Sequence, residues 1–229
     1  MVMWQTIRSS FFGRHSHDHA YAAIVLSGGY EEAGDHGRFR VAAGDVVLHE
    51  GFEAHIDRFS RSGAVVLNLP IPMESSFFPG IAIVADPDSI VRLAERSQAQ
   101  AARVLLSAIT ARRLTHLDWP DELAAALIKD PSLCLSRWSR DKGIKPWTVS
   151  RGFMQVFALS PSAFRARARA RQAWRAVATN EESLAKIAAD LRFADQSHMT
   201  RSVKQLTGKA PQAWRSSANR FKTQRCSSL

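Results

Sequence analysis

The chain has 229 residues, 45% of them hydrophobic, which allows one large domain or two small ones with a real core and argues against wholesale disorder. No apolar run approaches the ~18 residues needed to span a bilayer. Residues 1–14 lack the apolar stretch of a signal peptide, and Cys134 and Cys226 are too few and too far apart for a thiol metal site or a disulfide framework, so a cytoplasmic setting is expected. The net charge of +10 is unevenly placed: residues 1–130 carry twelve basic and sixteen acidic groups, residues 131–229 nineteen and five, so a front at −4 joins a back at +14. The basic part points to a polyanionic partner, nucleic acid or an anionic membrane.

Residues 1–85 are expected to form a small β-domain. His15, His17 and His19 are spaced by two, which puts all three on one face of an extended strand. Ala22–Leu26 is an apolar strand closed by Ser27-Gly28-Gly29, read as a turn. Gly37 to Val41 alternates, Ala43-Gly44-Asp45 turns, and Val46–Leu48 is a further strand. Ala64–Leu69 is another, ended by Pro70 and Pro72. Short strands at close spacing suggest a sandwich or barrel. With His36, His49 and His55, this segment holds clustered imidazoles of the kind that ligate Zn, Fe, Ni or Cu.

Residues 86–130 read as connecting helices suited to core packing or to a homodimer interface. Asp86-Pro87-Asp88-Ser89 is a helix start, followed by apolar positions at helical spacing as far as Leu114. Asp118-Trp119-Pro120 starts another helix, with acids in its first turn. Asp130-Pro131-Ser132 marks a boundary, because the charge balance changes there.

Residues 131–229 contain a repeated helical unit. Leu135, Trp138 and Ser139 face inward on a first helix, Gly143 turns, and Pro146 opens a second helix with Val149 and Phe153 inside. The pattern returns with Leu184, Ile187 and Ala188, then Phe193, Met199 and Val203. Between the copies, Arg165, Arg167, Arg169, Arg171 and Arg175 spread over more than one face of a helix.

Two resemblances follow from these residues. His15-Ser16-His17, Leu26-Ser27-Gly28, Ala43 to Val47 and Ala54-His55 resemble a cupin, most similar to the cupin-like sensor domains of AraC-type regulators. The resemblance matches His15, His17 and His55 to three ligand positions of metal-binding cupins. The acidic ligand position falls on Tyr21 or Ala22, and Glu50-Gly51-Phe52 replaces the usual Pro-x-Gly turn. With the acid missing, the three histidines are expected to rim a small-molecule effector pocket with no cofactor; a divalent metal on them is the alternative. Residues 133–215 resemble the AraC/XylS DNA-binding domain. The match runs from Ile187-Ala188 through Phe193, Asp195, Ser197, Arg201, Lys204 and Gly208 to Pro211 and Trp214-Arg215. Arg192 and Ala158 stand where that family usually has turn glycines, and Met199 and Val203 where it has bulkier aromatics.

The expected fold is thus two-domain: an all-β cupin-like barrel, then an all-α double helix-turn-helix, joined by connecting helices. The resemblance implies base contacts from Trp147, Ser150 and Arg151 in the first unit and from Gln196, Ser197, Thr200 and Arg201 in the second. Lys204, Lys186 and Arg215 are read as phosphate contacts. The implied function is a non-enzymatic, sequence-specific transcription regulator that meets double-stranded DNA, RNA polymerase and a small effector, and no membrane. The rival is a metal-dependent cupin enzyme with a basic nucleic-acid-binding tail.

Overall fold

The computed structural model describes residues 4–8, 10–71, 80–112 and 118–215. Pro72, Leu114 and Cys226 lie outside them. Eight strands form one antiparallel sheet: β1 (Trp4–Ile7), β2 (Phe11–Ser16), β3 (Tyr21–Gly34), β4 (Gly37–Ala42), β5 (Asp45–His49), β6 (Ala54–Pro70), β7 (Gly80–Ile83) and β8 (Thr110–Ala111). Its spine is the long pair β3–β6, which runs from Tyr21↔Pro70 to Gly34↔His55. Strands β4 and β5 share the other edge of β3, and β1 and β2 share the other edge of β6. The path through β5, β7 and β8 stays open among the described residues.

The sequence Ser27-Gly28-Gly29 is not a turn. Strand β3 continues through it with two register shifts against β6. Gly28 sits at φ +72°, and a Cβ there would lie 2.1 Å from the Gly63 carbonyl oxygen. Gly63, at φ +71°, is in the same relation to the Ile7 carbonyl oxygen. The glycines therefore let three backbones meet where both long strands bend, the usual role of glycine at a bulge. Gly44, at φ +92°, does sit in a turn, as its sequence suggested.

Period-two alternation divides the strand residues between two faces. Ala22, Ile24, Val46, Leu48, Leu67 and Leu69 point to one face. They are covered by Ile90 and Ala94 of α1 (Pro87–Arg96) and by Ala101, Ala102 and Leu105 of α2 (Gln98–Ala108). Tyr21, Ala23, Val25, Tyr30, Val47 and Val66 pack on the other face. Asp86 caps α1, accepting from Ser89 N at 3.0 Å, so the Asp-Pro-Asp-Ser start holds. Helix α2 ends at Ala108, where the chain turns extended to enter β8.

Helix α3 (Trp119–Lys129) starts at Asp118, as read from sequence, and α4 (Leu135–Asp141) and α5 (Pro146–Phe157) form the first helix-turn-helix unit. Val149, Phe153 and Phe157 are its buried face. A long helix, α6 (Pro161–Thr179), follows, and α7 (Leu184–Asp190) and α8 (Gln196–Thr207) form the second unit. Its core is Ala173, Val177, Leu184, Ile187, Ala188, Phe193, Met199 and Val203. Met199 and Val203 are fully buried, so the smaller side chains fill their places in the core. By packing the chain divides into residues 1–161 and 162–229, and the first helix-turn-helix belongs to the former. No helix among the described residues is long and apolar enough to cross a membrane.

Helix α5 is anchored at both sides within its own unit. Gly152 lies against Trp119, where a Cβ would come within 2.5 Å of the ring. At its C-terminus, Arg14 donates to the Phe157 carbonyl at 3.0 Å and Arg58 to the Gln155 carbonyl at 2.8 Å. The last carbonyls of a helix lack intrahelical partners and carry partial negative charge, so two guanidinium groups satisfy both needs. Arg14 also pairs with Asp35, and Arg58 lies 3.6 Å from Glu31.

Candidate functional site

A cavity of about 320 Å³ opens into the β-domain and is lined by His15, His17, His19, His49 and His55 with Tyr21, Glu32 and Asp57 among others. Strand register brings these residues together. His15 pairs with His55 across β2–β6, Tyr21 with His49 across β3–β5, and Glu32 with Asp57 across β3–β6. Inward-facing residues recur at every second position, as in His55, Asp57 and Phe59. Phe12, Phe59, Tyr21 and Tyr30 add aromatic walls.

The three histidines read from sequence do converge. The His15 and His55 ring centroids are 4.3 Å apart, and His15 and His17 are 5.2 Å apart. One ligand atom from each of His15, His17 and His55 lies within 4.8 Å of the other two. His19 is exposed and bonds to Asp18, 2.9 Å away. His36 lies between Glu50 and Glu53, at 3.6 and 3.7 Å.

Sequence reasoning missed the acids. The position expected for an acidic ligand holds Tyr21, whose hydroxyl is 3.4 Å from His55 Nε2. An acid enters instead from the far part of β3: Glu32 Oε2 is 3.5 Å from His49 Nε2. Asp57 Oδ2 is 3.8 Å from His55 Nε2 and 4.0 Å from His15 Nε2. Glu32 Oε1, His55 Nδ1 and Asp57 Oδ1 are buried without a hydrogen bond. The available signal was period-two spacing: Tyr30 and Glu32 on one strand, His55, Asp57 and Phe59 on another. The pairing of those strands is not written in either segment alone.

Electrostatics separates the imidazoles. Burial, followed by the charges of His49 and His15, drives the His55 pKa far below the usual range. Burial, then His15 and His49, also lowers that of His17. Burial works against the His49 cation as well, but Glu32, Glu53 and Asp57 outweigh it and hold its pKa up. Burial raises the Glu32 carboxyl and, against the pull of His15 and His49, that of Asp57. His55 is therefore a neutral donor, while His49 is the local counter-ion of the acids.

The two second helices each show an exposed outer face, polar on α8 and mixed on α5. On α5, Trp147, Ser150, Arg151 and Met154 are exposed, and Trp147 is 63% exposed rather than a core residue. On α8, Gln196, Ser197, Arg201 and Lys204 are exposed and Thr200 is half-buried. Residues of each set lie three or four apart, so each set occupies one helix face. Pro146 stands at the start of α5, and Asp195 caps α8 by accepting from His198 N at 2.6 Å. Lys186 is held between Glu182 and Asp190, at 3.0 and 2.8 Å, so its charge is already balanced. Arg215 donates to the Glu182 carbonyl at 2.6 Å. Of the arginine run on α6, Arg171 is buried, and Arg169 donates to the Arg192 carbonyl at 2.8 Å while lying over the Phe193 ring.

Residues 138–217 match the family model of a helix-turn-helix domain. No curated protein matches the chain. Among solved structures, it is similar to ToxT from Vibrio cholerae with a bound unsaturated fatty acid, at 12% identity over 92% of each chain and a TM-score of 0.42. The C-terminal domain of AraT, a response regulator from Geobacillus stearothermophilus, is 18% identical over 46% of this chain and 88% of its own, with a TM-score of 0.40. A probable AraC family transcriptional regulator from Rhodopseudomonas palustris is 17% identical over 42% of this chain and 93% of its own, with a TM-score of 0.39.

Proposed function

We propose that this chain, whose residues 138–217 are a helix-turn-helix domain of the AraC type, is a sequence-specific DNA-binding transcription regulator whose β-domain cavity receives a small effector. The observation that carries this reading is the pair of exposed faces on α5 and α8, polar on α8 and mixing Ser150 and Arg151 with Trp147 and Met154 on α5, each backed by a buried apolar face. The second helix of such a unit enters the major groove and reads base edges with its outward residues. Arg151 and Arg201 are assigned to guanine, Gln196 to adenine, and Trp147 to a thymine methyl or the sugar backbone. Ser150, Ser197 and Thr200 complete the reading faces, and Lys204 meets phosphate.

The chain acts as a regulator rather than an enzyme. RNA polymerase is its protein partner on DNA, a homodimer forms through the connecting helices, and the setting is cytoplasmic. The effector is met by His15, His17 and His55 at the cavity rim. The mutual closeness of their ligand atoms also suits a divalent metal, the second reading of the same pocket.

The test is selection of binding sites from random duplexes by the full chain, followed by affinity measurement. Arg201→Ala and Arg151→Ala should each weaken the selected site by about tenfold, the worth of a bidentate base contact, and random DNA far less. Equal losses on both would make these arginines phosphate contacts, and no enrichment at all would overturn the regulator reading.

A further inference from the structure

The cavity floor offers a second donor set, which shares His55 with the first and adds His49 and Glu32. We propose that Glu32, His49 and His55 form a divalent transition-metal site. This rests on the sensor reading of the cavity and names the class of its occupant.

One ligand atom from each of the three lies within 4.8 Å of the others. A tetrahedral zinc site needs about 3.4 Å between ligand atoms, so a small inward closure completes the set. The three side chains stand on β3 and on its two hydrogen-bonded neighbours β5 and β6, and are only 1%, 1% and 3% exposed. Tyr21 stacks on His49 at 4.4 Å and fixes the plane of its ring.

Glu32 Oε1 and His55 Nδ1 are buried without a hydrogen bond, a costly state that a cation relieves at Glu32 directly. Asp57, whose Oδ1 is also unpaired, stands beside His55 as a further oxygen donor or an outer-shell acceptor. The metal takes the place of the proton that the surrounding acids hold on His49, which leaves to solvent. Two neutral imidazoles and a carboxylate, with open positions toward the cavity, then suit Zn²⁺, Co²⁺, Ni²⁺ or Fe²⁺; Ca²⁺ and Mg²⁺ prefer oxygen alone. The rim set has no carboxylate among its three donors, and Asp57 stands beside two of them, His15 and His55, at 4.0 and 3.8 Å. Since His55 belongs to both sets, a metal on the floor removes one donor from the rim.

The full chain, stripped with a chelator, is titrated with Zn²⁺ by calorimetry and with Co²⁺ by visible absorption. One equivalent should bind. Glu32→Gln and His49→Gln should each weaken binding by about tenfold or more, while a His15→Ala/His17→Ala double variant should stay within about threefold. Absence of binding, or loss in the double variant with retention in Glu32→Gln, would overturn the proposal. If Glu32→Gln does not fold by near-ultraviolet circular dichroism, the partly exposed double variant decides alone, retention supporting the floor site and loss overturning it. DNA binding is measured alongside: a chain that binds DNA but no metal loses only this site, and one that binds metal but no DNA loses only the regulator reading.

Discussion

At the scale of single residues, three non-glycine positions among the described residues are left-handed: Phe52, Ala158 and Arg192. Ala158 caps α5 at φ 54°, and Arg192 follows α7 at φ 56°. A side chain in this region costs roughly 1–2 kcal/mol, partly offset by the greater unfolded-state freedom of glycine. Ala158→Gly and Arg192→Gly should therefore each stabilise the fold by about 0.5–1 kcal/mol, read as a higher melting temperature. A lower melting temperature in both would show that neighbouring contacts, not backbone sterics, decide these caps. Both positions were legible in sequence, because each breaks a pattern that otherwise holds around it. Phe52 stands within the Glu50-Gly51-Phe52 departure in the same way. Glu32 and Asp57 were not legible, since an acid on a strand reads as solvated until its cross-strand partner is known.

At the scale of elements, the packing of α3 on α5 hinges on Gly152. A Cβ there would meet Trp119 at 2.5 and 2.9 Å, and a rigid indole cannot yield as a flexible chain end would. Helix propensity alone makes Gly152→Ala stabilising by about 0.5–1 kcal/mol, whereas overpacking costs about 1–3 kcal/mol. The sign of the change in denaturant midpoint separates the two. We expect a loss, and a gain would mean that α5 does not sit against Trp119. The starts of α1 and α3 were read well from sequence, because caps such as Asp86 and Asp118 are local signals. The bend at Gly28 was misread because a glycine pair looks the same in a turn and in a bulge. Only the continued pairing of β3 on both sides tells them apart.

At the scale of the whole molecule, the charge division and the packing division do not coincide. The excess of basic residues begins near residue 131, but the break in packing falls at Pro161–Ser162. The first helix-turn-helix is basic in sequence yet packs with the acidic front part, on α3 through Gly152 against Trp119 and on the β-domain through Arg14 and Arg58 at the end of α5. A fragment of residues 131–229 should therefore keep α7 and α8 protected from hydrogen exchange, while α4 and α5 exchange faster than in the full chain. Equal protection of both units would show that the first stands without those contacts. DNA affinity of the full chain should fall steeply between low and moderate salt, because exposed basic residues such as Arg151, Arg201 and Lys204 displace counterions. A nearly flat salt dependence would contradict a phosphate-bound mode.

The arginines at the end of α5 are sequence neighbours of cavity residues. Arg14 precedes His15 and Arg58 follows Asp57, so each pair straddles its strand, one member turned inward and the other toward the helix. If an occupant of the cavity makes either strand rock about the peptide plane between the two side chains, the guanidinium behind it shifts at the end of α5, with no relay of intervening side chains. An Arg14→Ala/Arg58→Ala variant should still bind DNA and still bind the cavity's occupant, but each affinity should become indifferent to the other. Equal coupling energies in variant and parent, from a thermodynamic cycle of the two bindings, would show that the strands do not rock.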